Sequence, residues 1–503
     1  MKNLKKYIAV GLMLVVAGSC ETYKLPEVAK PSAGTAGLDF TKMVSVGNSL
    51  TAGFMNGALY TAGQANSYPS IIAAQMALAG GGSFNQPNIG SVNGFYGLAG
   101  PTVLGRLRLK LVNGSPSPTP QLPGDAPAPF TGDKSKLNNF GVPGVTLQTA
   151  QIAALGGPST GNPAFNPLYA RFATSPGVST LIGDAAAALG AGGTFFTFWL
   201  GNNDVLGYAT GGASNPSILT SQADFKTRLA SALAPLLAAN GGAAEGAVAN
   251  IPDVGTIPFF TTVAWNPIVF LSSNPISVAT VAQLNGATAY GGFNAALDGL
   301  AAAGAITTAE AARRKVIFKT GSTSTSGANG AVIIDETLTN IGALLSSINP
   351  ALAGFAQVRQ TTNADRLALT AGSVLPLGQG VSTPLTDQFV LLPSEQVEVQ
   401  NAVNGFNTSI AEIVAANSSR LVLVDANTAL KTLATGTVTI NGSGITASIT
   451  PPAGAFSLDG VHPNARGAGY IANLFIQAIN AKWGSSIPLC NPNNYPGNEL
   501  PSL

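Results

Sequence analysis

Apolar and polar positions alternate along this chain in two rhythms. Short runs rich in branched and aromatic residues read as buried strands: Met43-Val44-Ser45-Val46, a run just before Gly141, Thr194 to Leu200 (TFFTFWL), Ala247 to Ile251, and Leu421 to Val424. Between them, apolar residues recur every three or four positions, as helices require. Tyr68-Pro69 opens one helix through Ile71, Ile72 and Met76, and a second is expected around Leu147 to Leu155. Ser221-Gln222-Ala223-Asp224, a capping-box pattern with Asp in place of Glu, starts a third through Phe225, Leu229, Leu233, Leu236 and Leu237. Val399, Val403, Phe406, Ile410 and Ile413 mark a fourth, and Ile471, Leu474, Phe475 and Ala478 a last one.

Strand–helix alternation of this kind predicts an α/β protein, a three-layer α/β/α sandwich around a mainly parallel sheet. Residues from about 252 to 390 interrupt the rhythm. Rich in Gly and Ala, with short strand candidates at Val316-Ile317-Phe318 and Val332-Ile333-Ile334, they read as a large insertion. Arg359, Asn363 and Asp365 within it are expected to form a structural ion-pair and capping group. The prolines of residues 112–135 predict a long surface loop, and Thr437 to Thr450, alternating around Asn441-Gly442, predicts a hairpin.

The first residues change the picture of where the protein resides. Lys2, Lys5 and Lys6 precede the apolar run Tyr7 to Val16, which is too short for a comfortable membrane span, and Ala17-Gly18-Ser19 leads into Cys20. This resembles a bacterial lipoprotein signal, with Ala17 where that signal usually carries Leu; an ordinary secretory signal is the alternative. The resemblance implies removal of residues 1–19, lipidation of Cys20 and anchoring through a tether at residues 20–38. Glu21 rather than Asp after the cysteine points to the outer membrane of a Gram-negative cell. The folded domain is expected over 39–484, followed by a tail at 485–503.

Without the leader, 21 basic side chains face 22 acidic ones, and charged residues are only 9% of the chain. That balance offers nothing to nucleic acid. Two cysteines exclude a disulfide framework.

One imidazole serves the whole chain. His462 cannot belong to a histidine metal cluster, and it stands three residues after an acid, in Asp459-Gly460-Val461-His462. One short loop can therefore present a base together with the carboxylate that orients it. Ser49 lies just past the first predicted strand, in Gly47-Asn48-Ser49-Leu50, where a base could activate its hydroxyl. Gly141-Val142-Pro143-Gly144 and Gly201-Asn202-Asn203-Asp204 also follow predicted strands, whose carboxyl ends are where ligands sit in parallel sheets.

Taken in order, these four segments resemble the signature blocks of the SGNH hydrolases, also called GDSL esterases and lipases, over roughly residues 39–251 and 391–484. Asn48 stands where the family usually has Asp. The resemblance implies an SGNH (flavodoxin-like) fold and ester hydrolysis through a serine acyl-enzyme. It gives Ser49 as nucleophile, His462 as base and Asp459 as its orienting acid. It also gives an oxyanion hole from the backbone N–H groups of Ser49 and Gly144 and the side-chain amide of Asn203. No metal or cofactor is implied. The substrate expected is a small ester, a lipid or an acylated glycan. A non-catalytic binding lipoprotein on the same scaffold is the competing reading.

Overall fold

Five strands with nearly every residue buried pair into one all-parallel sheet in a computed structural model, which describes residues 30–34, 37–112, 115–440 and 442–500. They are β1 (Met43–Gly47), β2 (Asn139–Gly141), β3 (Phe195–Trp199), β4 (Glu245–Ala249) and β5 (Leu421–Val424), in the order β5-β4-β3-β1-β2. Alternate side chains feed two cores, as the twofold period of a strand demands. Val44, Val46, Phe196, Phe198 and Val248 face one layer. Met43, Phe195, Trp199, Ala247 and Val424 face the other. The first layer includes α2 (Leu181–Gly190), α4 (Gln222–Ala238) and α5 (Pro393–Ala416); the second is formed mainly by α1 (Tyr68–Ala77) and α7 (Ala465–Trp483). Phe225 of α4 and Phe406 of α5 stack with centroids 4.0 Å apart, which locks two helices of one layer together. This is the α/β architecture the hydrophobic pattern predicts.

The strand order decides where a ligand can sit. From β1 the chain steps to β2 on one side and then to β3 on the other, so a crevice opens between the carboxyl ends of β1 and β3. Gly47-Asn48-Ser49 leaves β1 there, and Gly201-Asn202-Asn203 leaves β3 to start α3 (Asn203–Thr210).

Residues 252–390 form a body with its own core, including Phe293, Leu297, Phe318, Val332, Ile333 and Leu345. Val332–Ile334 pairs with Val358–Gln360 as a strand. Val316 to Phe318 forms no strand. Its backbone is met by side-chain amides: Asn294 with Val316, Asn285 with Phe318, and Gln360 with the N–H of Ile317. The expected structural role of Arg359 and Asp365 is met by a bidentate pair at 2.7 Å, with Asp335 as a further partner of Arg359; Asn363 is exposed and stands outside this group.

Several local expectations need correction. The helix expected around Leu147 to Leu155 is two separate 3-10 turns, Thr149–Gln151 and Ala153–Gly156. The proline-rich loop is partly a ribbon: Ser115–Pro120 pairs antiparallel with Leu107–Val112, with Pro116, Pro118 and Pro120 opposite Leu111, Leu109 and Leu107. Proline has no N–H to donate, so prolines at every second position leave the residues between them free to make the ladder. Asp224 accepts from the hydroxyl of its cap residue Ser221, and the backbone N–H of Asp224 donates back to that hydroxyl. The hairpin is shorter than expected, Val438–Ile440 against Ser443–Ile445.

The ends of the domain also differ from expectation. Within the expected tether, Ser32 exchanges backbone and side-chain hydrogen bonds with Ser486, and Leu38 is buried. Within the expected tail, Ile487 and Cys490 are buried and Asn473 brackets the backbone of Cys490. Both segments carry apolar side chains that the second layer covers. The expected leader and Cys20 lie outside the described residues. No helix among the described residues is long and apolar enough to cross a membrane.

Candidate active site

Ser49 opens a one-turn helix, Ser49–Ala52, directly after β1. Asn48 caps it, its side-chain oxygen accepting from the N–H of Leu50 at 3.1 Å. The turn packs so close to the sheet that side chains are excluded beneath it. A Cβ on Gly47 would lie 1.9 Å from Thr51 Oγ1, and one on Gly141 2.3 Å from the backbone N of Ala52. The glycines that end β1 and β2 thus let the turn sit down on the sheet and aim the Ser49 hydroxyl into the crevice.

The opposing loop comes from the other end of the chain. Ser457 N–H donates to the His462 carbonyl and Gly460 N–H to the Ser457 carbonyl, closing a tight loop just before α7. Gly460 has φ +72°, a conformation L residues resist. Asp459 accepts four N–H groups: the backbone of Val461 (2.9 Å) and His462 (2.8 Å) on one oxygen, and on the other the backbone of Gly57 (2.7 Å) and His462 Nδ1 (3.1 Å). Burial pushes its carboxyl up, but the His462 charge and these hydrogen bonds outweigh that and hold it at about 2. An ionised Asp459 can only accept, so Nδ1 of His462 carries a proton and Nε2 is left as the acceptor. That nitrogen lies 2.8 Å from Ser49 Oγ. Phe54 packs on the imidazole, ring centroids 4.9 Å apart.

The structure thus brings Ser49, His462 and Asp459 into one hydrogen-bonded line across 413 residues of sequence separation. Asn203 is the first residue of α3, and its amide donates to the Val145 carbonyl at 2.9 Å, which leaves a second N–H. It lines the same cavity as Ser49 and His462. Gly144 lies next to that carbonyl at φ +80°, exposed, and a Cβ there would meet only Asn166 Nδ2, at 3.9 Å.

Beside Ser49 and His462 lies a cavity of about 90 Å³ with an almost wholly apolar lining. Leu206, Val254, Ile257, Leu430, Leu433 and Leu474 supply much of it. Two of these come from α6 (Ala426–Ala434), a helix that the sequence pattern left unmarked, and one from α7, where Leu474 was legible only as part of an apolar stripe.

The insertion reaches the site as well. Phe259 N–H donates to the Gly460 carbonyl at 2.9 Å, and Leu369 N–H donates to the Phe259 carbonyl at 2.7 Å. A Cβ on Gly460 would meet both residues at 2.9 Å. No pattern in the sequence signals this contact, because it is made through backbone atoms.

A separate trio of carboxylates, Glu336, Asp387 and Glu395, has one oxygen from each within 4.8 Å of the others. Burial first, and then the neighbouring Glu336, pushes Glu395 up to about 9.

Scans against known protein families, curated proteins and solved structures returned no match to this chain.

Proposed function

We propose that this protein is a serine ester hydrolase working through an acyl-enzyme, on the plan its four segments resemble in SGNH hydrolases. The observation that carries the reading is the Ser49–His462–Asp459 line opening on an apolar cavity. His462 Nε2 takes the Ser49 proton as Oγ attacks the ester carbonyl, while Asp459 stabilises the imidazolium that forms. The oxyanion is met by the N–H groups of Ser49 and Gly144 and the amide of Asn203. Collapse expels the alcohol, which takes the proton back from His462, and water then repeats the sequence on the acyl-enzyme.

The cavity favours an acyl chain over a bare acetyl group. Burial of each methylene contributes about 0.8 kcal/mol, or about fourfold in affinity. Cys20 would carry the lipid anchor and hold the enzyme at the outer membrane.

The test is hydrolysis of p-nitrophenyl esters from two to sixteen carbons by the mature protein. kcat/KM should rise from the acetate to longer acyl chains and then level or fall. Ser49→Ala should lower kcat by roughly 10⁴- to 10⁶-fold, and a fluorophosphonate should label Ser49 alone. Retention of most activity in Ser49→Ala would sink the proposal.

A further inference from the structure

Arg106, Arg108 and Lys110 fall on alternate positions of one strand and its entry, in a chain whose charged residues are only 9% of the total. All three line a second cavity, of about 310 Å³, which Ser49 and His462 do not line. Glu499 neutralises Arg108. Among the described residues, neither Arg106 nor Lys110 has a carboxylate partner. The guanidinium of Arg106 rests on the face of Tyr60, its carbon 4.4 Å from the ring centroid, and its buried Nε has no hydrogen-bond partner. The Tyr60 hydroxyl in turn accepts from Asn56 Nδ2 at 3.2 Å. A cation fixed by an aromatic face and left without a counter-charge is prepared for an anion from the open side.

We propose that this pocket binds an anionic oxygen group, a phosphate or carboxylate, with Arg106 as a planar fork and Lys110 as a mobile point charge. The occupant would lie against the segment that holds the Asp459–His462 loop. Asn56 lines the pocket, and its backbone N–H donates to Ser457 Oγ at 2.8 Å while its side-chain oxygen accepts from Leu458 N–H at 3.0 Å. Gly57, the next residue, donates to Asp459. The anion is either a group carried by the ester substrate, which rests on the hydrolase reading, or a free anion acting as an effector, which does not.

Isothermal titration of inorganic phosphate, and separately of acetate, into full-length mature Ser49→Ala protein at low salt tests the site without hydrolysis. One saturable site is expected, weakened about ten- to a hundredfold by Arg106→Gln, the usual effect of losing a hydrogen bond to a charged group. Lys110→Gln should weaken it a few-fold, and added salt should weaken it further. If Arg106→Gln fails to fold, Lys110→Gln, at an exposed position, decides alone. Absence of saturable binding by either probe, or equal binding in the folded variants, overturns the proposal. A second arm with active protein compares p-nitrophenyl hemisuccinate with p-nitrophenyl butyrate. A lower KM for the anionic ester that Lys110→Gln removes assigns the anion to the substrate, whereas equal KM values alongside phosphate binding assign it to an effector. Phosphate binding by a protein that hydrolyses no ester would keep the pocket and sink the hydrolase reading.

Discussion

In the five-stranded sheet, backbone groups answer one another along parallel ladders; in residues 252–390, side-chain amides take over part of that work. Asn285, Asn294 and Asn329 each clasp both the N–H and the carbonyl of one residue outside any strand, at Phe318, Val316 and Lys319. The sheet gains its stability from strands whose two faces are covered by helices. The insertion has no such sheet, so it satisfies buried backbone with amides and buries a linked group of charges, Arg359 with Asp335 and Asp365. The two regions share core at Val254, Ile257, Phe259, Phe260 and Ala368, and they also meet at Gly460, in the loop that carries His462. Damage to the sheet-borne site should therefore cost catalysis, damage inside the insertion should cost stability, and damage at their junction should cost both.

The largest effect expected from this comparison lies at the site. Asn203→Ala should lower kcat by about 10²- to 10³-fold with little change in KM, the usual loss of one oxyanion donor, and thermal unfolding should show the fold retained. A loss confined to KM would make Asn203 a binding or turn residue.

At the junction, Gly460→Ala forces a Cβ into a φ of +72° and against Phe259 and Leu369. It should destabilise by about 1–3 kcal/mol and lower kcat by about ten- to a hundredfold, because the imidazole shifts from Ser49. Urea unfolding and steady-state kinetics measure the two together. A stable variant with full activity would show that the insertion does not brace the loop.

Inside the insertion, Asn285→Ala removes both partners of Phe318. A loss of about 2 kcal/mol in urea unfolding is expected, with kcat unchanged. A parallel fall in kcat would mean that the insertion's interior is coupled to the site.

The acidic trio should show itself as a slope with pH. Glu395 is held protonated in the folded protein, so its contribution to stability is complete below about 4.5, its ordinary value, and is lost as pH rises towards about 9. Wild-type stability should fall between pH 5 and 9, and Glu395→Gln should flatten that fall, read from urea midpoints across the range. An identical slope in both proteins would place the titration elsewhere.

The sequence by itself determined the parts governed by local pattern. Runs such as TFFTFWL can be satisfied only in a strand buried on both faces, and the heptad-like spacing of Val399 to Ile413 only by a helix with one apolar stripe. The three-residue step from Asp459 to His462 fits one loop, so that pairing too was legible. Tertiary structure decided whatever depends on atoms distant in the chain or on the backbone alone. The 2.8 Å contact from Ser49 to His462 needs the sheet to bring two ends together. The bond from Phe259 to Gly460 uses no side-chain polar atom that a pattern could reveal. The alternate prolines of residues 115–120 became strand because their partner supplied the ladder. The cavity beside Ser49 is lined by leucines that sequence periodicity cannot tell from core, since an apolar side chain facing a cavity and one facing a neighbour obey the same hydrophobic rule.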